Sequence, residues 1–191
     1  MKISGPGESS LLLLKVIKLL NKLRIPYAIV GAFAASFYGL VRASLDADAV
    51  ISVEKNKKKL EKLLSSLKKE AWKTDIRQGD SNDPVRGVIN IEDKFKNRVD
   101  LLTGISGMKE DVFDRVMPAS FLKTKIKIVG IEDFIAMKIF AGSAKDIQDA
   151  IGVLQVSTKK INMPLLKQLT LNYGKKELNK LKEIIKKIGH D

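Results

Sequence analysis

The stretch Tyr27-Ala28-Ile29-Val30-Gly31-Ala32-Phe33-Ala34-Ala35-Ser36-Phe37-Tyr38-Gly39, followed at Asp46 by Asp46-Ala47-Asp48-Ala49-Val50-Ile51-Ser52-Val53, decides how this chain is read. The apolar run stops at Gly31 and small residues continue to Gly39, which predicts strand, tight turn and short helix. The second segment predicts a strand in which Asp46 and Asp48 project from one face and Ala47 and Ala49 from the other. Two carboxylates on one face repel each other unless a cation sits between them. A third acid, Asp100, stands in the apolar run Asn97-Arg98-Val99-Asp100-Leu101-Leu102, where an unpaired buried charge is costly. Three strand-borne acids suit Mg²⁺, which takes oxygen ligands and keeps waters for a phosphorylated substrate. An Asp near a strand end is more often a turn or cap residue, so context has to supply the rest. It comes from Gly31, fifteen positions before Asp46. A glycine at a strand-to-helix turn lets backbone N–H groups approach a phosphate while carboxylates on the neighbouring strand hold the metal.

Outward from this core, Glu8 to Leu23 sets Leu12, Val16, Leu19, Leu20 and Leu23 at helical spacing with Lys15, Lys18 and Lys22 between them. Asn56 to Lys69 predicts a second amphipathic helix. Trp72 to Arg77 and Gly87 to Ile91 read as strands around the polar loop Gln78 to Arg86, and Arg98 to Leu102 as the next strand. Gly104 to Gly107 reads as a loop and Lys109 to Arg115 as a short helix. Lys123 to Val129 alternates charged with apolar residues, as an edge strand does. Four helices follow: Ile131 to Phe140 with Glu132 and Asp133 in its first turn, then Lys145 to Leu154, Pro164 to Leu171 and Lys175 to Ile188. The predicted fold class is α+β, a small mixed β-sheet flanked by helices. Residues 1–130 form an α/β core with an N-terminal helix, and residues 131–191 a helical C-terminal subdomain with a basic tail.

Composition narrows the chemistry. With 191 residues, 45% hydrophobic, the chain can bury a real core, and collagen-like, low-complexity and wholly disordered classes are excluded. The absence of cysteine removes disulfides, thiol nucleophiles and Cys-zinc sites, and a single histidine, His190, removes most histidine metal sites and Ser-His-Asp triads. Catalysis must use carboxylates, lysines or hydroxyls. The net charge of +13 suits a polyanionic partner, yet only six of the 35 basic residues are Arg, the residue that dominates bidentate phosphate recognition. Residues 159–191 hold nine Lys against three acids, either a solvated helix face or a basic flank beside an active site. Leu11 to Leu14 is followed by Lys15 and Lys18, far short of the roughly 18 apolar residues of a membrane span. No signal peptide is recognisable, so a cytoplasmic protein without a membrane partner is expected.

Taken together, Ile29-Val30-Gly31-Ala32, the segment Gly39-Leu40-Val41-Arg42-Ala43-Ser44, Asp46-Ala47-Asp48-Ala49-Val50 and Val99-Asp100-Leu101 resemble the signature of the DNA polymerase β-type nucleotidyltransferase superfamily. Ile131-Glu132-Asp133-Phe134-Ile135-Ala136-Met137-Lys138 and Lys145-Asp146-Ile147-Gln148-Asp149 resemble the helical half of small bacterial members, the AbiEii-like nucleotidyltransferase toxins among them. The resemblance covers roughly residues 25–155. It implies Mg²⁺-dependent transfer of a nucleoside monophosphate from a nucleoside triphosphate to an acceptor, with pyrophosphate released and the helical subdomain closing over the nucleotide. Asp46 and Asp48 would hold the metal, and Asp100 would complete the site and help activate the acceptor. Gly31 and Ala32 would contact the triphosphate through the backbone. The acceptor implied is tRNA or a protein hydroxyl, in a toxin paired with an antitoxin. A small antibiotic, such as an aminoglycoside or lincosamide, is the alternative, and a catalytically silent nucleotide- or RNA-binding module is the reading from another class. Position 32 departs from the pattern, being Ala where Gly or Ser is usual, and Ser36 and Ser44 are candidate donors in its place.

Other residues keep two readings. Lys138 is a phosphate contact by the resemblance, or a lysine snorkelling from an amphipathic helix. Arg42 neutralises phosphate or pairs with Asp46 or Asp48. Asp146 and Asp149 share a helix face, where pairing with Lys145 or capping is the simpler role. Tyr38 reads as core, His190 as a solvated tail residue, and Trp72 and Phe95 are too isolated in sequence for a base-stacking platform.

Overall fold

A computed structural model describes residues 2–53, 57–80 and 83–189. The helix starting at Asn56, the middle of the polar loop at Ser81 and Asn82, and the tail residue His190 therefore lie partly or wholly outside the described residues. The deciding stretch folds as its pattern requires: β1 (Tyr27–Ile29), then α2 (Gly31–Phe37), then β2 (Asp46–Ile51). Gly31 sits at φ +63°, a conformation that carries no penalty only for glycine, and this turn sends the chain from strand into helix within one residue.

Ahead of these, α1 (Ser9–Lys22) buries Leu12, Leu13, Val16, Ile17 and Leu20, each contributing about 1.5–3 kcal/mol of gross burial. After β2 come α3 (Lys57–Lys69), β3 (Lys73–Gln78), β4 (Val85–Glu92), β5 (Arg98–Ile105), a 3₁₀ turn at Glu110–Phe113, β6 (Met117–Phe121) and β7 (Thr124–Ile128). The seven strands form one sheet in the order β3-β4-β5-β2-β1-β7-β6. β2 pairs parallel with β5 and antiparallel with β1, so the sheet is mixed and the acid-bearing strands are central. The α+β class expected from the sequence holds.

Four elements differ from what the sequence pattern predicts. β5 does not stop at Leu102 but runs through Gly104 to Ile105, because Thr103 and Ile105 stay in register with Gly87 and Val85 of β4. The segment Met117–Phe121 is a strand that no alternation announced, since its side chains are small or half-buried. It takes the outer position, where Pro118 is tolerated because an edge strand has a side that needs no donor. β7 consequently lies inside it, its alternation arising from Ile126 and Ile128 facing the core and lysines facing out. The helix expected over Lys109 to Arg115 shrinks to one 3₁₀ turn.

The remaining helices are α4 (Ile131–Ala141), α5 (Ala144–Val156), α6 (Met163–Tyr173) and α7 (Lys175–Ile188). α4 is buried on nearly all sides and ends at Gly142 in the left-handed conformation. Ser143 then caps α5 by accepting from the Asp146 N–H, and Asn162 caps α6 by accepting from Leu165 N–H with Pro164 in the first turn. Tyr38 is core: its hydroxyl donates to the Val129 carbonyl and its ring packs against Phe134. Trp72 and Phe95 are half-buried against the same core.

Candidate active site

The parallel β2–β5 register sets Asp48 opposite Asp100, and the antiparallel β4–β5 register sets Asn90 opposite Asp100 from the other side. One rung across the sheet thus reads Asp48, Asp100, Asn90, with Asp46 one side-chain step along β2. Oxygens of Asp46, Asp48 and Asp100 all lie within 4.8 Å of one another, each side chain half-buried. The Asn90 amide donates to Asp100 Oδ1 at 2.8 Å and fixes that carboxylate. The Ser44 hydroxyl does the same for Asp46 Oδ1 at 2.6 Å.

The cluster is short of positive charge. Burial, and after it the neighbouring charges of Asp46 and Asp100, push the Asp48 carboxyl up to about 6, against the opposing pull of Lys138 and Arg42. Oxygens around a Mg²⁺ at about 2.0–2.1 Å stand about 3–4 Å apart, and three carboxylates with oxygens within 4.8 Å of one another need only a small approach to become such a donor set. Gly31 closes the site from above: a Cβ added there would lie 2.0 Å from Asp48 Oδ2. The turn is held in place by the Val30 N–H, which donates to the Asp48 carbonyl at 2.9 Å.

The basic residues near the cluster are organised by Asp149, for which the sequence suggested pairing with Lys145 or capping. Asp149 on α5, 3% exposed, accepts from Arg42 Nη2 at 3.1 Å, lies 2.9 Å from Arg42 Nε, and pairs with Lys138 Nζ at 2.9 Å. Lys138 also donates to Asp146 Oδ1 at 2.6 Å, and Asp146 is gripped by the Ser143 hydroxyl. Arg42 therefore pairs with neither Asp46 nor Asp48. Lys138, 7% exposed, does not snorkel, and Asp146 and Asp149 serve Lys138 and Arg42 rather than Lys145. Within this network Arg42 makes its hydrogen bond to Asp149 through Nη2, while its buried Nε is in ion-pair contact without a hydrogen bond, and removing one partner of such a buried pair costs several kcal/mol. The i, i+3 spacing of Asp146 and Asp149 was the sole sequence signal for it. Asn90 gave none, its role coming from cross-strand register.

Two cavities meet the cluster and share no lining residue. A groove of about 600 Å³ gathers Ala32, Ser36, Arg42, Ser44 and Asp46, walled by aromatic residues that include Phe33 and Phe121. Gly31 and Lys138 lie elsewhere, with Asp48, in a second cavity of about 340 Å³. The residues singled out in the sequence are thus divided between two spaces that adjoin the α2 turn, except Asp100, which lines neither. Ala32 brings no hydroxyl to α2, whose first turn has no side-chain cap.

No family model and no curated protein matches the chain. Solved structures do. The chain is similar to an antigenic nucleotidyltransferase-like protein from Paracoccidioides brasiliensis, with a TM-score of 0.53 and 17% identity over 94% of this chain and 92% of that one. It is similar to ANT(2″)-Ia in complex with an adenylyl-tobramycin, with a TM-score of 0.57 and 12% identity over 87% of this chain and 96% of that one. It is also similar to the lincosamide antibiotic adenylyltransferase LnuA bound to lincomycin, with a TM-score of 0.51 and 11% identity over 81% of this chain and all of that one. The fold is the nucleotidyltransferase fold. Among the described residues no helix is long and apolar enough to cross a membrane.

Proposed function

We propose that this chain moves a nucleoside monophosphate from a nucleoside triphosphate to an acceptor hydroxyl or similar group, releasing pyrophosphate. The observation that carries the reading is the convergence of Asp46, Asp48 and Asp100 to within 4.8 Å beneath the glycine turn at Gly31. Asp46 and Asp48 would hold Mg²⁺, and Asp100 would complete the set. When bound, the ion supplies charge neutralisation on the phosphates of an in-line displacement. Ala32, Ser36 and Ser44, which line the groove beside Asp46, face the triphosphate, and the turn at Gly31 brings the Ala32 backbone beside it. Arg42 and Lys138, both held by Asp149, stand beside the approach with their charges balanced by Asp146 and Asp149. Asp100, oriented by Asn90, takes the proton of the attacking group. Positioning and preorganised charge carry the rate.

The acceptor separates the finer readings. A toxin of a toxin–antitoxin pair would use tRNA or a protein, whereas ANT(2″)-Ia and LnuA, with tobramycin and lincomycin in their structures, favour a small molecule. A cytoplasmic location, where nucleoside triphosphates abound, goes with either. A second reading, a nucleotide- or RNA-binding module without turnover, draws on Ala32 and on the lysines of α7. The test is incubation with each α-³²P nucleoside triphosphate, Mg²⁺ and in turn tRNA, extract protein and small antibiotics, beside the Asp46→Ala/Asp48→Ala double variant. Label transferred by the wild type alone establishes the enzyme and names its acceptor class. Nucleotide binding without transfer to any acceptor leaves the silent module.

A further inference from the structure

An in-line displacement needs the attacking group and the departing pyrophosphate on opposite sides of the reacting phosphorus. The groove and the second cavity, which share no lining residue, are two separate spaces at the carboxylates. Ala32 opens onto the groove and Gly31 onto the second cavity, so the turn between β1 and α2 divides them at the carboxylates. With the triphosphate beside Ser36 and Ser44, the space left for the attacking molecule is the second cavity. We propose that this cavity is the acceptor slot and that it takes a compact, uncharged, largely apolar molecule bearing one hydroxyl, not the end of an RNA. The proposal rests on the nucleotidyl-transfer reading above and adds the class of acceptor.

Its walls are Val85, Leu102, Ile105, Met137, Phe140 and Ala141, an aliphatic and aromatic lining from β4, β5 and α4. Leu102 follows Asp100 on the same face of β5, so the apolar wall begins one side-chain step from the carboxylate that would accept the proton. The polar end holds Asp48, Lys138 and Asp146. Lys138 is already paired with Asp146 and Asp149, so among the described residues the lining offers no spare cation to an acceptor phosphate. A volume of about 340 Å³ sits at the small end of ligand pockets, room for a ring-sized molecule rather than a stacked nucleotide strand. In the step itself the acceptor oxygen forms a bond to the α-phosphorus, and the bond from that phosphorus to the pyrophosphate oxygen breaks. Pyrophosphate leaves with the electron pair, and the hydroxyl proton passes to Asp100.

The full chain, with its five methionines ¹³C-labelled at the methyl group, is titrated with benzyl alcohol and cyclohexanol, and separately with tRNA. The Met137 resonance, assigned by its loss in Met137→Leu, is expected to shift saturably with the alcohols and not with tRNA. In the presence of α-³²P nucleoside triphosphate and Mg²⁺, benzyl alcohol is expected to be labelled at least tenfold faster than glycerol. Ala141 is exposed at the mouth of the slot, so Ala141→Trp fills it from outside and is expected to cut that transfer at least tenfold, with Ala141→Leu intermediate. A Met137 signal that neither alcohol moves, or transfer that Ala141→Trp leaves unchanged, overturns the slot. If the wild type binds no Mg²⁺-nucleotide by calorimetry, the underlying reading fails and the acceptor role with it, whatever Met137 reports.

Discussion

Gly31 and Asp48 occupy space that no larger pair could share: a methyl group on Gly31 would lie 2.0 Å from the Asp48 carboxylate oxygen and 3.2 Å from its Cβ. The backbone at Gly31 is also left-handed, at φ +63°. Strain and collision therefore add. Gly31→Ala should lower stability by about 1–3 kcal/mol in urea unfolding and reduce nucleotidyl transfer at least tenfold by displacing Asp48. Transfer at the wild-type rate by a folded Gly31→Ala protein would show that the carboxylate position is not critical.

Asp48 makes the apoprotein sensitive to pH in an unusual direction. Its carboxyl is raised from 3.8 to about 6 in the folded state, so between these values the native chain binds more protons than the unfolded one. Stability then falls as pH rises through this window and is fullest below it. Asp48→Asn should abolish the dependence and stabilise the metal-free protein at pH 7 by about 1–3 kcal/mol while eliminating transfer. Thermal unfolding of both forms at about pH 4, 5, 6 and 7 measures this; parallel curves for the two would contradict it.

Mg²⁺ should raise the unfolding midpoint of the wild type, because an ion that binds only the native cluster stabilises it by mass action. The Asp46→Ala/Asp48→Ala protein should not respond. An equal shift in both would place the ion elsewhere.

Asp149 anchors two cations at once, and Asp149→Ala takes the carboxylate partner from Arg42 while leaving Lys138 with Asp146 alone. The expected loss is about 3–5 kcal/mol, the range for breaking a buried pair on one side. Arg42→Lys should be intermediate, since a lysine cannot reproduce a two-nitrogen grip on one carboxylate. Chemical denaturation ranks the three proteins; an Arg42→Lys loss equal to that of Asp149→Ala would argue against the grip.

Tyr38→Phe separates stability from chemistry. It removes one buried hydrogen bond to Val129 and should lower stability by about 1–2 kcal/mol with transfer intact. A fall in transfer rate per folded molecule would move Tyr38 from the core into the site.

What the sequence disclosed was local. β1, the Gly31 turn and the Asp46/Asp48 face are fixed by neighbours in the chain, and Asp100 was conspicuous as a charge in an apolar run. The pairing of Arg42 with Asp149, 107 positions away, follows no periodicity and became visible only with the packing of α5. β6 was silent because its residues are small or half-buried, and β5 was cut short because Gly104 reads as a breaker where cross-strand pairing holds it. Ala32 keeps the turn's shape and withholds its hydroxyl.

The parallel pairing of β2 with β5 also sets when the site comes into being. A nascent chain that has produced β1 through β4 carries Asp46 and Asp48 with no third carboxylate beside them. Only after β5 emerges and docks against β2, past α3 and the β3–β4 hairpin, does the third like charge join the first two. Because such long-range parallel contacts form late, the repulsion falls on the final steps of folding and leaves the early ones untouched. A divalent cation would therefore slow unfolding more than it speeds the first collapse, and a chain released before residue 100 could be ordered in part yet chemically inert.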